Sequence, residues 1–586
     1  MNCADTETQS PKRCWKYAPK PFAEGVIVFV AFSSLALDLI LLFFLLGPPF
    51  GHSYRLDVLW SQAFAEQFFA GDFYPRWLFE PNAGAGSPAF YFYAPFPFWI
   101  SAIFGKLTCL GCGAERWFII GPVLLVALSG MSFYYWARLY ARPLMAIVTA
   151  YLYVFLPYHF HIDLWARLTL GEIAAYVWLP IILWGLAKAS TSLGYSIVAA
   201  AGYAGLLYSH LPSALLFSPI MAMFVAFQIK FVRGLLVLAI AVVLGIGFAA
   251  PYLVPALTTQ ANINSSAWWM GPNFDARNWL WLDGRSAFDF ADIVLPALLM
   301  ATCYAVIPTI GLLTRTNKRN SLTIFIVLSL IYAWFLMTAP SSFLWEKMWF
   351  LRKVQFPWRV GIVLDICAST MMAVWLDWSS DRKRLFFATL CLGGLTLGAY
   401  YGYNAGHMYS TLLATQEATV VAKLKKQLEL GLDAREYQTS WTVRASQLSR
   451  SVLVERLDKM PDAELVSGAG VITIDRLELD RLYLTVEARS SVTVRFRRFY
   501  YPGWYLTGEQ GGEAFAISAS EVLGLVEARI PKGTRKLVLR RQPIHEERVG
   551  EMIWIATVFV VSLMLLGIWL RRRQPQHASR PARAGQ

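Results

Sequence analysis

Charge is scarce in this chain: Asp, Glu, Lys and Arg make up 15% of its 586 residues, against 56% hydrophobic ones. A chain this long and this apolar exceeds what one soluble core takes, so the composition is that of a polytopic membrane protein. Cysteine is sparse too: seven scattered residues exclude a disulfide framework. Cys109 and Cys112, in CLGC, have metal-ligand or redox spacing, but no second pair accompanies them, and an ordinary pair near the membrane surface is expected. No repeat of 20 to 50 residues is visible, which excludes solenoids and propellers. Acidic residues are outnumbered, giving a net charge of +14. The basic residues fall in short clusters between apolar runs, the pattern of cytoplasmic membrane loops rather than of a nucleic-acid surface.

Apolar runs long enough to cross a bilayer lie near 25–47, 117–136, 143–157, 172–187, 195–210, 212–228, 234–257, 291–313, 321–338, 359–376, 385–403 and 549–570. The first follows KRCWKYAPKP, is too long for a signal peptide and lacks a small-residue cleavage site, so an uncleaved transmembrane helix is expected. Twelve spans with both termini cytoplasmic put ARLYARP, QIKFVRG, RTNKRN, SSDRKR and RRRQ all inside. This holds if FYFYAPFPFWISAIFG, residues 90–105, lies at the interface instead of crossing, as its prolines and aromatics suggest.

The expected plan is therefore a cytoplasmic segment 1–24, a transmembrane domain 25–404 with a first outer loop 48–116, an outer domain 405–548, a last span 549–570 and a basic tail 571–586. Further outer segments are 158–171, 258–290 and 339–358. In the outer domain, residues 413–432 read as helix. VITIDRLELDRLYLTVEA and SVTVRFRRFYYPGWYLTGEQGG then alternate apolar and polar residues between turn signals, which predicts a β-rich fold.

Ionisable residues crowd three outer segments. In GHSYRLDVLW, His52, Arg55 and Asp57 stand directly after an apolar run, and Leu56, Trp60, Phe64 and Phe68 mark an amphipathic surface helix. Asp57 would sit in that helix's first turn, where it either favours the helix dipole or does chemistry. GDFYPRWLFEPNAGAGSP carries Arg76 and Glu80 on a glycine-rich loop long enough to be functional. PYHFHIDLWARLTLGE places His159, His161, Asp163, Arg167 and Glu172 at a membrane boundary, costly unless they pair or line a wet cavity. As a helix it pairs Asp163 with Arg167 at i, i+4, while the histidines read as interface residues. In SSFLWEKMWFLRKVQFPWRV, Arg352, Lys353 and Arg359 are basic on the outer side, which suits an anionic ligand such as a lipid phosphate or ordinary headgroup contact. His210 stands at the outer turn SHLP. Asp38 and Asp365 fall within spans and should face protein or water.

The stretch from GHSYRLDVLW to FYFYAPFPFWI, with PYHFHIDLWARLTLGE, SHLPSALL, VQFPWR and YYPGW in order, resembles bacterial membrane proteins known as 6-pyruvoyl-tetrahydropterin-synthase-related, similar to the YfhO group of the GT-C glycosyltransferase superfamily. The resemblance implies an inner-membrane enzyme that moves a sugar from a polyprenyl-phosphate carrier to an envelope glycan, lipid or protein. It also implies acidic catalytic groups in the first two outer loops, where Asp57 and Asp163 stand. Many relatives write Asp after the Gly-His, where this chain has Ser53, and His where it has Asp57, which makes His52 the competing base. The phosphate would be met by Arg352, Lys353 and Arg359, with Arg167 as a further cation. Arg55, Arg76, Glu80, His159, Glu172 and His210 complete the expected substrate-binding set. A divalent metal is an optional cofactor, with Asp57 and Asp163 as its ligands; the spacing matches no zinc signature. A lipid-linked-sugar transporter and a non-catalytic assembly scaffold are the competing classes, and the inverted repeats a transporter would show are not apparent.

Overall fold

The computed structural model describes residues 21–46, 51, 53–109, 111–268, 274–282, 289–313, 321–379, 431–446 and 448–573. The expected span 385–403, residues 413–430 of the expected helix 413–432, and His52 lie outside the described residues, and Gly431 and Leu432 at that helix's expected end are not helical. The chain is a multi-pass α-helical membrane protein with a C-terminal β domain. Among the described residues nine helices are long and apolar enough to cross a membrane. They run from Pro21–Leu46 to His545–Arg573. Two shorter helices, Tyr195–Ser209 and Ser321–Met337, occupy further expected spans.

The first helix shows how its packing face is chosen. Val28, Phe32, Leu35, Leu39 and Phe43 recur at helical spacing and are buried. Asp38 falls beside that buried stripe and is exposed, as are Leu37 and Leu41. Asp365 does face protein: it is fully buried and accepts a 2.7 Å hydrogen bond from Tyr176.

The β domain has nine strands: β1 Ala463–Ser467, β2 Gly470–Leu477, β3 Arg481–Ala488, β4 Val492–Phe499, β5 Trp504–Gly508, β6 Ala514–Phe515, β7 Ile517–Ala519, β8 Leu525–Ile530 and β9 Gly533–Arg541. They form two antiparallel sheets, ordered β1-β4-β8-β7 and β2-β3-β9-β5-β6. Alternation of buried and open residues along β3 and β4 is the period-2 signal read from the sequence.

The segments expected on one side of the membrane meet at one end of the bundle. Ser53 N–H donates to the Arg167 carbonyl at 3.1 Å, Asn82 N–H to Gly431 at 2.7 Å and Phe499 N–H to Ala85 at 2.8 Å. Asn264 N–H donates to Gln438 at 2.9 Å, and Gln355 Nε2 to Trp268 at 2.8 Å. At the other end, Arg138 pairs with Glu24 and Arg142 with Asp377, each at 3.0 Å.

Two local expectations change. The Tyr54–Phe69 helix does not lie on a surface: ten of its residues are buried. It is enclosed because Phe90 and Phe98 pack on Phe64 and Trp60 from one side, while the linker to the β domain packs from another through Tyr437 on Trp60. Cys109 and Cys112 form a disulfide instead of an ordinary thiol pair, since the turn after the short helix Lys106–Thr108 brings their Cα atoms to 5.5 Å. Residues 90–105 are broken into the short helices Ala89–Phe92 and Phe96–Ile100 and a π turn Ser101–Gly105, none long enough to cross.

Candidate functional site

The segment expected to be an α-helix at 158–167 is a π-helix, Tyr158–Arg167, ended by Leu168 in the left-handed region at φ 52°. The wider turn and its left-handed stop fold Arg167 back over the start of the Leu170–Ala189 helix. Arg167 meets Asp163 at 3.0 Å and grips both Glu172 carboxylate oxygens, at 2.8 and 3.0 Å. Arg359 Nε reaches the same carboxylate at 2.8 Å, and Tyr158 donates to it at 3.0 Å. Two arginines and two carboxylates thus close on one another, and their desolvation is offset by charge-assisted bonds.

Two glycines permit this approach. A Cβ on Gly51 would stand 2.7 Å from the Arg167 carbonyl carbon, and one on Gly171 would stand 2.8 Å from the Ser209 carbonyl oxygen. The first brings the Tyr54–Phe69 helix onto the π-helix; the second brings His210 beside Glu172.

Asp57 sits on that first helix with 1% exposure, and its Oδ2 has no hydrogen-bond partner. Burial without a counter-charge raises its pKa well above the ordinary Asp range. Tyr93 lies within electrostatic reach of Asp57, Glu172 and Arg359, so it joins the buried acid to the arginine cluster.

Tyr93 also lines a cavity of about 470 Å³. One end is apolar, walled by Leu207, Leu215 and Leu253 from three membrane helices. The other end carries His210, Lys353 and Arg359, with Gln260, Glu436 and Tyr437. Lys353 Nζ bonds Gln260 at 2.6 Å and lies 4.8 Å from the Trp349 ring centre. Burial and then the Arg359 charge lower the His210 pKa, which keeps its ring neutral. Beyond Glu172, Arg359 bonds the Val354 carbonyl through Nη1 at 2.7 Å, and no partner among the described residues takes its Nη2.

Other expected residues stand elsewhere. Arg55 donates to the Leu432 carbonyl and ties the first loop to the β-domain linker. Arg76 pairs with Glu547 at 3.3 Å in a separate polar cavity beside the last helix. Glu80 is exposed, and Arg352 caps the Glu346 carbonyl. His159 and His161 are buried rather than at an interface: His159 stacks on Tyr176 at 3.6 Å, and its Nδ1 lies 3.1 Å from the Tyr153 carbonyl. Tyr93, Gln260, Glu436 and Tyr437 were not singled out by the sequence. Only the aromatic density of residues 90–99 hinted at Tyr93, and the other three come from loops without a pattern. Among the described residues no three His, Cys, Asp or Glu converge as a metal site.

These features define a multi-pass membrane protein with a part-apolar, part-cationic cavity at the β-domain end of its helices. No family model and no curated protein matches the chain. Among solved structures it is similar to ArnT from Cupriavidus metallidurans bound to undecaprenyl phosphate, with 13% identity, a TM-score of 0.38, and 70% of this chain and 69% of that one covered.

Proposed function

We propose that the chain is a GT-C-type glycosyltransferase, of the YfhO-like kind, that passes a sugar from a polyprenyl-phosphate carrier to an envelope acceptor on the outer face of a bacterial inner membrane. The observation that carries this reading is the amphipathic cavity: a polyprenyl tail suits its apolar end, and a phosphate suits Lys353 and the free Nη2 of Arg359. The acceptor hydroxyl bonds the anomeric carbon as Asp57 takes its proton, and the bond from that carbon to the carrier phosphate breaks. The phosphate leaves with the electron pair, neutralised by Lys353 and Arg359. Glu172 and Arg167 position Arg359 by fixing its Nε side. The partnerless Oδ2 atoms of Asp57 and Asp163 are not gathered with a third ligand among the described residues, so no step is routed through a divalent metal.

The test is binding of a polyprenyl phosphate to the purified protein, followed by native mass spectrometry. A charge-assisted contact contributes about 1.5–3 kcal/mol, so Lys353→Gln is expected to weaken binding about tenfold or more. Equal binding by this variant and the wild type, or no binding by either, contradicts the reading.

A further inference from the structure

The β-domain linker walls two cavities. Glu436 and Tyr437 face the first, whereas Arg435 and Gln438 face a second pocket of about 420 Å³. The second pocket is bounded by Asn264, Ser446, Ser449 and Arg450 as well, and no carboxylate lines it among the described residues. Neither the Arg435 nor the Arg450 guanidinium has a hydrogen-bond or ion-pair partner among the described residues. Asp433 and Glu436 act on Arg450 only from a distance, and Arg55 and Arg435 oppose them. Asp433 takes the Trp60 indole N–H at 2.8 Å and the Ala434 N–H at 2.7 Å through Oδ1, and no hydrogen bond joins its Oδ2 to either arginine. Arg435 is exposed and Arg450 half-buried, so both guanidiniums are open to a ligand, and side-chain hydroxyls and amides beside them add donors for oxygen.

We propose that this pocket is an oxyanion site, distinct from the first cavity, that takes a phosphate-class group. The two guanidiniums supply forked donors that match a phosphate, and Ser446, Ser449, Asn264 and Gln438 supply further hydrogen bonds. The group comes either from a lipid headgroup or from a phosphorylated saccharide approaching the β domain. The inference does not rest on the glycosyl-transfer reading, and its test uses no sugar transfer.

The experiment titrates inorganic phosphate and glycerol 3-phosphate into the full-length protein in zwitterionic lipid nanodiscs at constant ionic strength, read by phosphorus NMR line broadening. The wild type is expected to bind saturably, and Arg435→Gln and Arg450→Gln each to weaken binding about tenfold or more. Arg450→Lys keeps the charge but loses the fork, so it falls between wild type and Arg450→Gln. The titrations are repeated in a Lys353→Gln background, which removes phosphate uptake by the first cavity, and the binding that depends on Arg435 and Arg450 persists there. Nanodiscs with added phosphatidylglycerol separate the sources: competition with phosphate assigns a lipid headgroup, and unaltered affinity assigns a soluble or saccharide-borne phosphate. Absence of saturable binding, or wild-type affinity in both glutamine variants while they fold normally, overturns the proposal.

Discussion

Glu172→Gln removes the hub of the arginine cluster without changing its size. The carboxylate is 2% exposed and receives Arg167 at 2.8 and 3.0 Å, Arg359 at 2.8 Å and Tyr158 at 3.0 Å. Glutamine offers one acceptor oxygen and turns an amide against guanidiniums, leaving Asp163 as the remaining acid for two buried cations. Removing one member of a buried ion pair costs about 3–5 kcal/mol, which lowers the melting temperature by several degrees. The assay is thermal unfolding of purified protein in one detergent, with Glu521→Gln as an exposed control expected within about 0.5 kcal/mol of wild type. A double-mutant cycle with Arg359→Gln should show coupling of about 1 kcal/mol or more. If Glu172→Gln melts with the Glu521→Gln control, the cluster is not what holds the site.

Three further outcomes follow from the geometry. Asp57 works as a base when ionised, and its pKa is raised by burial, so transfer should fall on acidification at a pH above the ordinary Asp range; a rate unchanged down to that range contradicts the assignment. The same shift means that the folded state holds the proton where the unfolded chain has lost it. Stability should therefore decline as pH rises through the raised pKa, and Asp57→Asn should flatten that decline in pH-dependent melting. Gly51→Ala places a Cβ 2.7 Å from the Arg167 carbonyl carbon and should cost about 1–3 kcal/mol by overpacking, measurable by melting against Gly113→Ala, where a Cβ meets nothing within 4 Å and the backbone is not left-handed. Cys109 and Cys112 should resist thiol alkylation in intact cells until a reductant is added, as expected of a loop on the oxidising side of the membrane; immediate labelling would place that loop inside.

Legibility varied with the kind of physics involved. The membrane helices and β-strands could be read because burial imposes periods on their sequences, as Val28 to Phe43 and the alternating β3 and β4 show. The Asp163–Arg167 pair was read correctly at 3.0 Å although its helix is π rather than α. Spacing by itself cannot show a widened turn, which here depends on Leu168 adopting a left-handed conformation. Lys353, Arg359 and His210 stand together at the cavity as their segments suggested. Arg55 and Arg76 do not, because each finds a carbonyl or carboxylate in a distant segment that no local pattern announces, and Arg352 does not because it turns back onto the Glu346 carbonyl six residues before it. Gln260, Glu436 and Tyr437 escaped notice for the same reason, as their roles exist only once separate loops pack together.

The central claim is best tested by sugar transfer from labelled polyprenyl-phosphate sugars in membranes containing the wild type, Asp57→Asn or His52→Ala, with insertion checked for each. The account predicts transfer by the wild type and its loss in Asp57→Asn while that protein still inserts. Full activity in Asp57→Asn contradicts the assigned base, and no transfer by the wild type from any carrier-linked sugar contradicts the enzyme reading itself.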